Sequence, residues 1–227
     1  MMRLSMGLMA SLLLLLAAPA SAASFDCAKA SSEIEKRICA NSALGAADEL
    51  LADSYRRARE RDPANANALR QEQRAWLRLV REQCFEDDCL ARALTRRTVG
   101  LEQPREGQIP RRAYGQFSRT DEACFVANNE EGRSCEGEID SSILVLPEGL
   151  DRVGVYALLF FFNGHTCQFE GQGQWRQGQV VVNHHEENSC QLTLSYSESG
   201  ITTAATEPCR DYCGMRGTLD GIELERR

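Results

Sequence analysis

Ten cysteines constrain this 227-residue chain more than any other feature, because they fall into two even groups. Cys27, Cys39, Cys84 and Cys89 lie in a stretch patterned for helices, and Cys124, Cys135, Cys167, Cys190, Cys209 and Cys213 in one patterned for strands. An even count in each half predicts closure by disulfides within each half, with several pairings open that spacing does not choose among. Halves of about 80 and 115 residues can bury only small cores, so cross-links of ~2–4 kcal/mol each would supply a large share of the stability. Zinc is the competing use of the sulfurs. It is disfavoured because no Cys-x-x-Cys occurs and the closest pairs, Cys84/Cys89 and Cys209/Cys213, are spaced more loosely than zinc knuckles.

Disulfides need an oxidising compartment, and the first 22 residues supply the route. Arg3, the apolar run Leu8–Leu16 and the small-residue exit Ala18-Pro19-Ala20-Ser21-Ala22 have the layout of a cleavable secretory signal. No later segment approaches the ~20 apolar residues of a membrane helix, so no membrane insertion of the mature chain is expected. Cys27 follows Ser24-Phe25-Asp26 rather than the small and aliphatic residues of a lipid-attachment site. The expected location is periplasmic or secreted.

Charge divides as unevenly as structure. Residues 23–102 carry 14 acidic and 14 basic side chains, whereas residues 103–227 carry 19 acidic and 11 basic. The acidic half disfavours nucleic acid and anionic lipid as partners and is compatible with a cationic one, although solubility alone also explains it. Glu130-Glu131 and Glu136/Glu138/Asp140 bracket Cys135 and predict a crowded acidic loop if the chain folds back there.

In the first half, Ser31-Ser32 followed by Glu35 predicts a capped helix running to about Cys39, interrupted at Asn41-Ser42. Leu44, Ala47, Leu51, Tyr55 and Ala58 recur at helical spacing and predict a helix over 44–61, stopped by Asp62-Pro63. Further helices are expected over 65–83 and 87–101. The short Asp62-Pro63-Ala64 connection implies an antiparallel pair, which would bring Cys84 toward Cys39 or its neighbourhood.

The residues Phe25-Asp26-Cys27, Glu35-x-x-Ile38-Cys39, Leu44, Asp48-x-x-Leu51-x-x-x-Tyr55, Gln73-Arg74-Ala75-Trp76-Leu77, Cys84 and Cys89-Leu90 resemble the LprI-type N-terminal domain. That family is a small secreted helical module named for a bacterial lysozyme inhibitor, and the resemblance covers residues 25 to about 101. It implies a disulfide-linked helical bundle and a lysozyme as one partner. Inhibition would require filling a glycan groove and pairing two carboxylates, for which arginine is suited. Arg74, Arg78 and Arg81 on the third predicted helix are the candidate partner-binding residues. The bland alternative is a solvated face, with Glu72 and Glu82 interspersed. Trp76 falls on the apolar stripe and reads as core.

Residues 102–112, with Pro104, Gly107 and Pro110 among charges, predict a linker. Beyond it, over 113–227, alternation predicts strands near 113–117, 143–146, 153–162, 166–169, 179–182, 190–196, 201–205 and 221–225. Asn163-Gly164 is the strongest hairpin signal. The stretch 158–162 is apolar on both faces, so its strand should be central or covered outside by the helices. Gly171, Gly173 and Gly178 around Trp175 read as hairpin turns, and Cys209–Cys213 as a cross-linked turn. The fold class expected is therefore two-domain α + β: an antiparallel helical bundle followed by a small antiparallel β-barrel or sandwich.

No reaction is legible. His184-His185-Glu186-Glu187 with His165 invites a metal-dependent hydrolase, but adjacent strand residues face opposite ways and no His-Glu-x-x-His or Gly-x-Ser-x-Gly is present. No catalytic, metal or cofactor residue is assigned. The expected function is a non-enzymatic exported protein that occludes a lysozyme cleft, with a cell-envelope protein- or glycan-interaction module as the alternative.

Overall fold

The computed structural model describes residues 23–103, 109–126, 133–149, 151–184 and 189–227. The proposed signal, Glu130-Glu131 and His185-Glu186-Glu187 lie outside the described residues, as do residues 104–108 of the expected linker.

Four α-helices come first: α1 (Glu33–Ala40), α2 (Ser42–Arg61), α3 (Ala66–Leu79) and α4 (Asp87–Glu102). Each boundary has a local cause. Ser32 caps α1 and exchanges bonds with Glu35 in a full capping box. The Glu35 carboxyl is held below its ordinary value by the backbone N–H groups of Ser31 and Ser32. Asn41 ends α1 by donating its N–H to the Arg37 carbonyl, then starts α2 by accepting from Ala43 and Leu44 through its side chain. Asp62-Pro63 ends α2, as the sequence predicts. The principal partner of α2 is α4, not α3.

The helical core holds Ile38, Leu44, Leu51, Leu69, Trp76, Leu90 and Leu94, with Trp76 only 1% exposed. Cys39 bonds Cys27, and Cys84 bonds Cys89. The expected approach of the two regions does occur, but through polar contacts: Arg37 donates to the Phe85 carbonyl, and Asn41 to Asp87 at 3.0 Å. Each sulfur pairs with a cysteine nearer in the chain.

Eight strands then form a closed antiparallel meander: β1 (Gly115–Val126), β2 (Arg133–Pro147), β3 (Arg152–Phe160), β4 (Thr166–Arg176), β5 (Gln179–His184), β6 (Cys190–Tyr196), β7 (Gly200–Ala205) and β8 (Glu223–Arg226). Each strand pairs with the next, and β8 returns to β1 through only Phe117↔Arg226 and Ser118↔Glu225. Inward residues fill the barrel with Phe117, Ile143, Val155, Leu159, Phe169, Val182, Leu192, Leu194 and Leu224. Asn163 and Gly164 take positive φ at the β3–β4 turn, as the hairpin signal requires. Gly171 and Gly173 lie inside β4 instead of turns, because Gly173 faces Val180 and Val182 at a distance no larger residue fits.

The barrel disulfides connect separate elements. Cys124–Cys135 joins β1 to β2, while Cys190–Cys209 and Cys167–Cys213 fasten the 3-10 turn Glu207–Tyr212 and its end to β6 and β4. The Cys209–Cys213 stretch is thus linked outward to two strands and not across itself. Gly217 leaves room for this, since a Cβ there would lie 2.8 Å from the Cys167 sulfur.

The helices pack on the outer face of the barrel. Leu144, Leu146 and Tyr156 belong to the helical core, and Leu158 packs against it, which explains why β3 is apolar on both faces. A Cβ at Gly100 of α4 would lie 1.9 Å from the Pro147 carbonyl oxygen, so the helix rests directly on the strand backbone. Polar side chains pair at the joint. Tyr156 donates to Glu148, Gln172 donates to the same carboxylate at 2.9 Å, and Arg96 pairs with Glu170.

Candidate interaction surface

Most residues that carry the family resemblance turn out to build the fold. Asp48 is 5% exposed and accepts from the N–H and hydroxyl of Ser24, at 2.9 and 2.6 Å, anchoring the segment that leads to Cys27. Gln73 accepts from Arg97 Nε at 2.9 Å inside the bundle, and Trp76 fills its centre. None of these faces a partner.

The arginines of α3 are different. Arg74 and Arg78 are exposed, four residues apart, and therefore share one face of the helix. They meet Arg226 of β8 and the following Arg227 across a cleft of about 350 Å³ whose walls include Gln71, Tyr114 and Gln116. The two C-terminal arginines are engaged. Arg226 lies 4.6 Å from the Phe117 ring centroid and donates to the Tyr114 and Arg112 carbonyls, and Arg227 pairs with Asp140 at 2.9 Å. Among the described residues Arg74 and Arg78 make no ion pair within 4.0 Å. Arg81 lies apart from this cleft: its side chain is 14% exposed and bonded to Glu82.

Asp140 marks where this cleft meets a second surface. Its carboxyl is lowered by the Thr120 hydroxyl first, then by Arg227 and the nearby charge of Arg78. Asp140 lies on β2, opposite Thr120, two residues before Ser142 and four before the helix-covered Leu144. By the two-residue period of a strand, Leu144, Ser142, Asp140 and Glu138 line one outer face. That face runs from the helical joint, past the arginines, to an acidic hairpin. The predicted acidic loop is thus a two-stranded structure: Glu122 stands opposite Glu138, and Cys124 opposite Cys135.

One more exposed feature escaped the sequence reading. Phe85 is 78% exposed in the loop closed by Cys84–Cys89. The heptad-like stripe marks only buried residues, so an outward phenylalanine in a turn carries no periodic signal.

No catalytic arrangement is evident among the described residues. His165 packs its ring on Gly214 and accepts through its carbonyl from Phe161. His184 ends β5 opposite Cys190. Glu122, Cys124 and Cys135 lie close enough to suggest a metal site, but the two sulfurs are bonded to each other and have no thiolate to give. A polar groove of about 800 Å³ along the barrel seam, between Ser118 and Glu223, holds no nucleophile–base pair. No described helix is long and apolar enough to cross a membrane.

Comparison with known proteins agrees with the helical half. The family model described as Lysozyme inhibitor LprI matches residues 27–132, a segment that holds all four helices and β1. No curated protein and no solved structure matches the chain.

Proposed function

We propose that this protein is an exported, non-enzymatic inhibitor of a lysozyme, and that the α3 arginine cleft is its contact with the enzyme's catalytic carboxylates. The LprI match over 27–132 supports the partner class, and five disulfides with no free cysteine among the described residues support an extracytoplasmic setting. The observation that carries the reading is Arg74 and Arg78: two exposed guanidinium groups on one helical face, free of ion pairs among the described residues, beside a cleft deepened by Arg226 and Arg227. A lysozyme groove presents two carboxylates flanking the scissile bond. Arginine meets such groups through paired, planar hydrogen bonds that lysine does not reproduce. Holding the cleft on a helix packed against a barrel fixes the backbone that carries those groups, so that only the side chains are ordered on binding.

Titration against hen-type and goose-type lysozymes tests this. Muramidase activity should fall in proportion to inhibitor added, and Arg74→Glu/Arg78→Glu should weaken inhibition by about a hundredfold while leaving the fold intact. Full muramidase activity at micromolar excess of the wild-type protein would overturn the reading.

A further inference from the structure

The arginine cleft leaves the hairpin of β1 and β2 without a role. Among the described residues, positions 119–126 and 133–141 of these strands pair only with each other, because β8 reaches β1 only at 117–118 and β3 reaches β2 only from 142 onward. They form an arm that continues past the closed wall. On its outer face Glu122 and Glu138 are exposed and directly opposed, with Glu136 and Asp140 on the same strand. Like charges facing across strands are unfavourable, so the arrangement costs the arm stability.

The inner face of the arm carries an apolar floor beside Arg119 and Asp121. Ala123, Phe125 and Ile139 meet Phe160, Phe161 and Phe162 from the end of β3 around a groove of about 320 Å³. Phe125 and Val126 are 46% and 47% exposed beside it. The groove is preformed: Cys124–Cys135 ties the strands, and Asn163 accepts from the Val126 N–H at 2.7 Å. Arg119, which also lines it, is neutralised by Asp121 at 2.8 Å. Among the described residues, that leaves Glu122 at the rim without an ion pair.

We propose that this groove docks a basic side chain, arginine or lysine, of a cationic protein partner. The aliphatic stem lies on the phenyl rings, and the charged head meets Glu122 with Glu138 behind it. Charge complementarity selects the occupant, because an aromatic floor with an acidic rim suits a long cationic side chain better than an anionic or wholly apolar one. The inference deepens the lysozyme reading and rests on it for the partner's identity. The arm would grip the basic body of the enzyme while the arginine cleft takes its carboxylates.

The test uses the full chain and two probes. Titrating a short Arg- and Lys-containing peptide into the ¹⁵N-labelled protein should give saturable shifts at the amides of Phe125, Val126, Phe161 and Gly164, and a Glu-substituted peptide should give none. The double variant Glu122→Gln/Glu138→Gln should lose about tenfold in peptide affinity yet melt about 1–2 °C higher, because the opposed charges are gone. Absent shifts, equal shifts with the acidic peptide, unchanged affinity in the variant, or shifts that vary with protein concentration alone would each overturn the groove assignment. Intact lysozyme is the second probe. Peptide binding without lysozyme inhibition sinks the inhibitor reading and keeps the groove. Lysozyme inhibition without peptide binding does the reverse.

Discussion

The helical and barrel halves use the same cross-link for different purposes. In the helices, the bridges close short loops, 12 and 5 residues apart, at the edge of a core built on Trp76, Leu90 and Leu94. In the barrel, sulfurs 46 and 19 residues apart pin a non-strand turn onto β4 and β6, with Cys167, Cys190 and Cys209 buried. The helical bridges therefore trim local freedom, as Cys124–Cys135 does within the β1–β2 ladder, whereas these two barrel bridges hold a segment tied to the sheet otherwise by an isolated β-bridge and single backbone bonds. Covalent closure does most where regular structure does least.

The largest expected effect tests that contrast directly. Removing Cys167–Cys213 by double alanine substitution should cost about 4 kcal/mol from loop-closure entropy, against about 2 kcal/mol for Cys84–Cys89, as read by urea unfolding. Equal losses would end the distinction. Next comes the joint between the halves. Gly100→Ala drives a methyl into the Pro147 carbonyl and should cost about 1–3 kcal/mol, with calorimetry resolving two transitions where the wild type gives one. A single unsplit transition would mean that the two halves melt together for another reason.

The joint also has a pH signature. Burial, then the Glu148 charge and hydrogen bond, push the Tyr156 hydroxyl well above the ordinary tyrosine value of 10.0, and burial raises Tyr196 inside the barrel as well. In the unfolded chain both would lose protons near pH 10 while the folded protein keeps them. Their contribution is therefore complete below that value and lost as pH rises beyond it. Tyr156→Phe should cost about 1–2 kcal/mol at neutral pH by taking one donor from Glu148, which keeps Gln172, yet flatten the alkaline fall in melting temperature. The smallest effect belongs to the helices alone: Ser32→Ala removes the α1 capping box at about 1 kcal/mol, detectable as faster amide exchange in α1 with the barrel unchanged.

Much of this architecture is legible in the residues. The four helices follow from apolar spacing and from Ser32, Asn41 and Asp62-Pro63, and all eight strands are placed by alternation. The arm is the main loss. Residues 118–122 and 136–140 are polar or charged on nearly every position, since neither face is packed in a core, so the pattern that reveals a strand is missing. Sulfur pairing is also hidden, because the turn that brings Cys209 and Cys213 to separate strands depends on how the barrel curls. Half of the arginine cleft is visible as a face of α3. Its other wall, Arg226 and Arg227, lies about 150 residues away, and only the packing of β8 beside α3 brings the two together.

The two-residue junction of β8 with β1 bears on how the molecule assembles. Every other strand meets a neighbour made moments before it, so the sheet can zip forward in order. The last join must wait for residues 223–226 and bring them back across more than a hundred positions. The same residues place Arg226 and Arg227 at the cleft. Until that final closure the helices can be fully formed while the arginine cleft is not, so completion of the cleft should lag behind helix formation.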